Sequence, residues 1–269
     1  MASGGVYDFG SRGLEVRDQG LRMSGASWLE QTGAAVLFDD FVGDTLNTNL
    51  WLATETATGV AWAISATAGD PVAAHGGWAS AQTDNVDAAA EELAAAASAT
   101  VGQWRADRAG NGMLVFQCRL TSPTAITARI INAGFTDDPT EGAALAMSLS
   151  TTTWTTTASD AALWVLSSLA TDNDNFVGQT VDTDVDGTHI ASAVAAAADT
   201  ATVLRVELDS VGGAYFYQTD GATARPAFQG YVSVGVTETV ALCPYVALAS
   251  TATTAADIEL DYVLVSCAR

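Results

Sequence analysis

The chain has no lysine. All ten of its basic residues are arginine, and they stand against 31 aspartates and glutamates for a net charge of −21. A surface of that sign repels phosphate backbones and anionic membranes, so neither nucleic acid nor membrane is expected as a partner. Histidine is almost as scarce, with only His75 and His189. The three cysteines, Cys118, Cys243 and Cys267, are too few and too widely spaced for a disulfide framework. They read as reduced, partly buried thiols of a protein made in a cytoplasm. No C-x-x-C pair offers a zinc site. Long apolar runs are missing too, so no membrane span is expected. Met1-Ala2-Ser3-Gly4-Gly5 has neither the charged nor the apolar region of a secretory signal.

What is present is an apolar-rich chain of 269 residues, long enough to bury one sizeable core. From Phe38 onward, apolar runs alternate with Gly, Asx, Thr and Ser clusters at the spacing of an all-β fold. Candidate strands are 60–66, 112–120, 127–136, 144–150, 163–169, 175–180, 201–209, 213–219, 239–249 and 256–267. The runs around Leu114–Leu120 and Val203–Leu208 alternate clearly, one face for a core and one for solvent. The five prolines sit between runs or near their ends, as a sheet protein requires. One stretch points elsewhere: 87–97, DAAAEELAAAA, has the strongest helix propensity in the chain. In an alanine-rich chain that composition leaves helix and strand both open over 86–96. Ala195–Ala198 shows a weaker version of the same bias.

Residues 1–35 differ from the rest, with apolar residues scattered at no sustained period. Arg12, Arg17 and Arg22 face Asp8, Glu15, Asp18 and Glu30, leaving the arm near neutral and the body at −20. Such a segment is expected to dock on a neighbour and order as it binds. Val6, Tyr7, Phe9, Leu14, Val16, Leu21 and Trp28 would supply contact area there, and Arg12, Arg17 and Arg22 the paired charges.

The stretch that organises the chain is Phe38-Asp39-Asp40-Phe41, followed by Gly43, Leu46 and Trp51. It reads as a strand entering a sheet, a tight turn and a tryptophan sealing the core, with Phe38, Phe41, Leu46 and Trp51 as anchors. This opening resembles the first strand and turn of concanavalin A-like (laminin G/glucanase-type) jelly rolls. Further motifs of that family follow in order: 129–137 (RIINAGFTD), 204–209 with 214–221 (LRVELD, AYFYQTDG), 242–248 (LCPYVAL) and 257–265 (DIELDYVLV). The resemblance implies an all-β fold, a two-sheet antiparallel jelly-roll sandwich over 36–269 preceded by an extended arm over 1–35. With a cytoplasmic N-terminal arm, the set most resembles the jelly-roll decoration (cement) proteins of tailed-bacteriophage heads. That implies a non-enzymatic protein on the outer capsid surface of the virion, made in the host bacterial cytoplasm. Its partners would be the major capsid protein and itself, as a homodimer or homotrimer, with no cofactor.

Other chemistries can be weighed residue by residue. Glucanases of this fold use an E-x-D-x-(x)-E strand; the nearest match, Glu259-Leu260-Asp261, lacks the third carboxylate. Asp182-Thr183-Asp184-Val185-Asp186-Gly187 satisfies the first half of a calcium loop, but position twelve is Ala193 where a bidentate Glu is needed. Acidic turns at strand ends explain it better, as they do Asp137-Asp138 and 172–175. No G-x-S-x-G elbow accompanies either histidine. The alternative function is carbohydrate binding by an exposed ring. Trp62, Trp78, Trp104, Trp154 and Trp164 offer rings, and Trp154, within Thr151–Thr157, is the best exposed candidate, although tryptophans more often anchor cores.

Overall fold

A computed structural model describes three short strands within residues 6–22 and most of 34–268, apart from 43–44, 56–59, 65–77, 85–88, 96–101, 111, 122–125, 140–144, 172–173 and 220–224. In the arm, β1 (Val6–Tyr7), β2 (Leu14–Arg17) and β3 (Gly20–Arg22) form a small antiparallel sheet of their own. Strands of two to four residues are too short for periodicity to register. The body is a sandwich of two large antiparallel sheets. Sheet I runs β19 (Ala227–Val232), β18 (Ala214–Gln218), β17 (Thr202–Leu208), β9 (Leu114–Thr121), β21 (Asp257–Ala268), β7 (Ala79–Gln82), β6 (Val60–Ile64). The first strand of the body, β4 (Ala34–Asp39), pairs with the second half of β21. Sheet II runs β15 (Val185–Asp186), β14 (Asn175–Asp182), β13 (Ala161–Ser167), β10 (Arg129–Thr136), β20 (Cys243–Ser250), β8 (Ala90–Ala94), β5 (Leu52–Glu55), with β16 (Ile190–Ala195) beside β14. A hairpin, β11 (Met147–Ser150) and β12 (Thr153–Thr156), belongs to neither sheet.

The core between the sheets is built by alternation. On β9, Leu114, Phe116, Cys118 and Leu120 point inward, and on β10, Ile131, Ala133 and Phe135 meet them. Phe116 and Phe135 touch edge to face across the gap, 5.8 Å between centroids. Trp164 of β13 is wholly buried, lies edge-on to Phe216 of β18, and donates its indole N–H to the Arg205 carbonyl of the opposite sheet at 3.1 Å. Gly178 of β14 makes room for this packing, because a Cβ there would sit 2.7 Å from the Phe216 ring. A buried Arg129–Asp257 pair ties β10 to β21, with Nη1 2.7 Å from the Asp257 carbonyl and 3.3 Å from its carboxylate.

The opening stretch is organised by Asp39. Its carboxylate accepts the Phe41 amide at 2.9 Å and the Trp51 indole N–H at 2.7 Å. Those bonds hold Phe41 at a positive φ of 51° and bring both rings into the core. Phe38, expected as an anchor, is half exposed, because β4 pairs with β21 in a register that turns it outward.

Among the described residues of 86–96 the helix-or-strand question resolves as strand β8, Ala90–Ala94. Pairing with β20 and β5 overrides the local alanine propensity, since an inner strand satisfies its backbone on both sides. Residues 195–198 likewise close β16 and enter a turn. The helical turn among the described residues is a 3₁₀ segment at Ala106–Ala109. Among those residues, no helix is long and apolar enough to cross a membrane.

Candidate functional site

Sheet II has a second face, turned away from the core. One row across it reads Thr54, Glu92, Ala247, Asn132, Val165, Val177. Glu92 is buried and accepts the Tyr245 hydroxyl at 2.8 Å and the Thr54 hydroxyl at 2.9 Å. Asn132, wholly buried, donates to the Met147 carbonyl and accepts the Met147 amide, both at 3.0 Å. Ser167 donates to the Leu149 carbonyl at 2.6 Å. These bonds latch the β11–β12 hairpin over the face. Met147 of the hairpin joins Leu163, Val165, Tyr245 and Ala247 of the sheet in a second apolar cluster, with Trp154 packed against it.

The roof changes what the face can do. Glycoside hydrolysis needs two carboxylates flanking a bond, within about 5–10 Å of each other. Among the side chains that the pairing register puts in that row, Glu92 is the one carboxylate, and it is already bonded. The nearest sequence match, Glu259-Leu260-Asp261, lies on β21 of sheet I. Asp261 there pairs with Arg119 at 2.6 Å.

At the rim of the roof is a cavity of about 200 Å³ lined by Leu149, Thr151, Trp154, Asn175, Val177 and His189, among others. The half-buried Trp154 and the exposed His189 rings lie 6.4 Å apart. The sequence singled out both residues but did not bring them together; β14 and the loop before β16 do. The other tryptophans have structural settings. Trp62 and Trp164 are core, Trp104 packs against it, and Trp78 lies under the Arg119 guanidinium, 5.5 Å from its ring centroid.

The calcium-like stretch is a hairpin turn. Thr183 and Asp184 both have positive φ between β14 and β15. Asp182 accepts the Thr237 hydroxyl at 2.8 Å and Asp184 accepts the Ser159 hydroxyl at 2.7 Å. Asp160 accepts the Thr237 amide at 2.6 Å, and burial raises its carboxyl above the ordinary range. Burial raises Asp137 as well, with the nearby Asp160 and Asp138 adding to it. Among the described residues no three His, Cys, Asp or Glu side chains are placed to share a metal ion. All three cysteines are buried thiols outside any disulfide. Burial pushes the Cys243 thiol up to about 12 and Cys118 further still, so neither is a nucleophile at neutral pH.

Of the arm residues expected to make contacts, Val6 and Tyr7 lie on β1, Leu14, Val16 and Arg17 on β2, and Leu21 and Arg22 on β3. Phe9, Arg12 and Trp28 lie outside the described residues, as does His75.

Sequence reasoning missed two groups. Asn132 is the latch of the roof; the bonds that reveal its role come from a segment fifteen residues away. Glu91 faces the core between the sheets, wholly buried, with no hydrogen-bond partner for either oxygen. Burial, and then the charge of Glu55, push its carboxyl up to about 8. Two adjacent glutamates in an apolar run were the available signal. A strand must send them to opposite faces, and here both faces are buried.

No protein-family model and no curated protein sequence matches the chain. Solved structures do. A protein of unknown function from Shewanella oneidensis MR-1 superposes with a TM-score of 0.54 at 12% identity, over 91% of this chain and 95% of that one. A Bacillus licheniformis β-glucanase gives 0.52 at 12% identity, over 86% and 97%. Peanut lectin gives 0.52 at 7% identity, over 87% and 97%. The fold is therefore the concanavalin A-like jelly roll expected from the motif order. It is shared by enzymes and by lectins.

Proposed function

We propose that this chain is a non-enzymatic decoration (cement) protein that binds the outer surface of the major capsid protein lattice of a tailed-bacteriophage head and braces it. The observation that supports it best is the covered outer face of sheet II. There Met147 of the latched hairpin packs into one apolar cluster with Leu163, Val165 and Tyr245. Function is then left to the exposed surfaces and the arm. In this reading the arm contacts capsid protein or a sister subunit through Val6, Tyr7, Phe9, Leu14, Val16, Leu21 and Trp28, with Arg12, Arg17 and Arg22 pairing to acidic groups. The body, at −20, projects outward and keeps particles mutually repelling. The test mixes undecorated heads with the full chain and with a chain beginning at Ala34, where β4 starts, followed by sedimentation and heating. Co-sedimentation and a raised melting temperature of the heads with the full chain alone are expected. Binding by neither chain overturns the proposal.

A second reading, glycan binding, is favoured by the cavity at Trp154. Its volume suits a single sugar ring stacked on the indole, with Asn175, Thr151 and His189 as hydrogen-bonding groups at the edge. Titrating a glycan panel against intrinsic fluorescence, with Trp154→Ala as control, tests it. A hit abolished by that substitution would establish a lectin role; no hit would remove it.

A further inference from the structure

The geometry points to the outer face of sheet I as the surface on which two copies of this chain pair about a two-fold axis. One row of that face crosses six strands: Phe228, Tyr217, Arg205, Gln117, Leu264, Phe38. Aromatic rings gather at both ends of it. At the β18–β19 end, Tyr217 packs on Phe228 with centroids 5.5 Å apart, and Tyr215 on Tyr231 at 4.4 Å. At the β4–β21 end, Phe38 lies 6.1 Å from Tyr262. Phe228, Phe38 and Tyr231 are 56%, 50% and 42% exposed.

Between the two ends the charges cancel locally. Arg205 pairs with Glu207, and Arg119 with Asp261. That matters for a chain carrying −21, because like charge opposes self-association wherever unpaired carboxylates would meet. Along the middle of the row that cost is reduced, with Asp209 left beside the Tyr215 and Tyr231 rings. A two-fold axis through the middle of the row lays each aromatic end on the opposite end of the other copy, the self-complementarity an isologous contact requires. Six strands at ~4.8 Å spacing, each ~23 Å long, give roughly 650 Å² per partner, close to the ~800 Å² of a standard interface.

This pairing names the face of the oligomer in the function proposed above, and its test needs no capsid. Sedimentation of the full chain at about 10–100 µM should give twice the 27.6 kDa of one chain. Phe228→Asp with Tyr231→Asp should return it to a single chain with its circular dichroism unchanged and a melting temperature that no longer rises with concentration. Phe38→Asp, at the far end of the row, should do the same, because the axis sets it against the β18–β19 cluster. Raising salt from about 20 to 300 mM should tighten pairing several-fold by screening the remaining repulsion. A single chain throughout that range, a trimer, or a dimer that persists in both variants would overturn the assignment. A lone chain that still coats heads would refute this face and leave the decoration role standing; a dimer that ignores heads would do the reverse.

Discussion

The two sheets of the sandwich share a core but differ on their outer faces, and their strands record the difference. In sheet I, β17 and β18 alternate strictly between buried and half-buried positions. In sheet II, β10, β13, β20 and β8 are buried at every position. The inward halves are alike, made of Phe, Leu, Val and Trp on both sides. The outward halves are not. Sheet I turns the half-buried Arg119, Gln117, Arg205, Glu207 and Tyr217 outward, whereas sheet II buries Leu163, Val165, Ala247 and Ala249 in a second apolar cluster that Met147 of the hairpin joins. A strand carries a polar stripe where water meets it and loses that stripe where another layer does. The contrast shows where a partner can reach this molecule.

The most damaging way to break the comparison is to part the sheets. Asp257→Ala would remove the carboxylate 3.3 Å from the Arg129 guanidinium, whose side chain is 2% exposed. A loss of about 3–5 kcal/mol is expected in urea unfolding. Burial already lowers the Arg129 pKa, and Asp257 opposes that shift. Next is the roof. Asn132→Ala removes both bonds to Met147 and should cost about 2–4 kcal/mol. It should also expose the 151–152 turn to proteolysis, while the same treatment leaves the wild-type chain intact.

The glutamate pair sharpens the contrast between the two faces of sheet II, since Glu92 has partners and Glu91 has none. The folded-state pKa of Glu91, about 8, lies above its ordinary 4.5. Its protonated form therefore contributes stability that is complete below pH 4.5 and declines as pH rises toward 8. The slope is about 1.4 kcal/mol per pH unit. Relative to Glu91→Gln, the wild-type chain should lose about 2 kcal/mol between about pH 6 and 7.5, read as a difference in urea midpoints. Parallel pH profiles for the two would sink this account. The smallest effect belongs to the bare face. Arg119→Ala should change stability by less than about 1 kcal/mol, because its pair with Asp261 is only part-buried and stays within reach of water.

Much of the architecture is legible in the chain because alternation is a local property. β9 and β17 show their two faces in the order of their residues, and Gly, Asx and Thr clusters mark the turns between runs. β8 was not legible: AEELA favours a helix by every local rule, and only pairing with β20 and β5 makes it a strand. The short strands β5, β7 and β12, of four residues each, offer too little pattern to read. Trp154 was visible as a candidate ring and His189 only as a histidine without a catalytic motif, and nothing local says that they share a cavity.

Local chemistry alone settled the class of this protein. Apolar faces at a period of two and turn residues at close intervals read as all-β, although Pro244 lies within β20, and the two-sheet sandwich was what the motif resemblance implied. The charge excess and the absence of lysine were equally plain. The fate of each outer face was decided only in three dimensions. Whether Leu163 and Val165 meet water or a hairpin depends on bonds from Asn132 and Ser167 to Met147 and Leu149, more than a dozen residues away. Side-chain pattern is written residue by residue, but what covers a face is set by segments that meet only when the chain has folded.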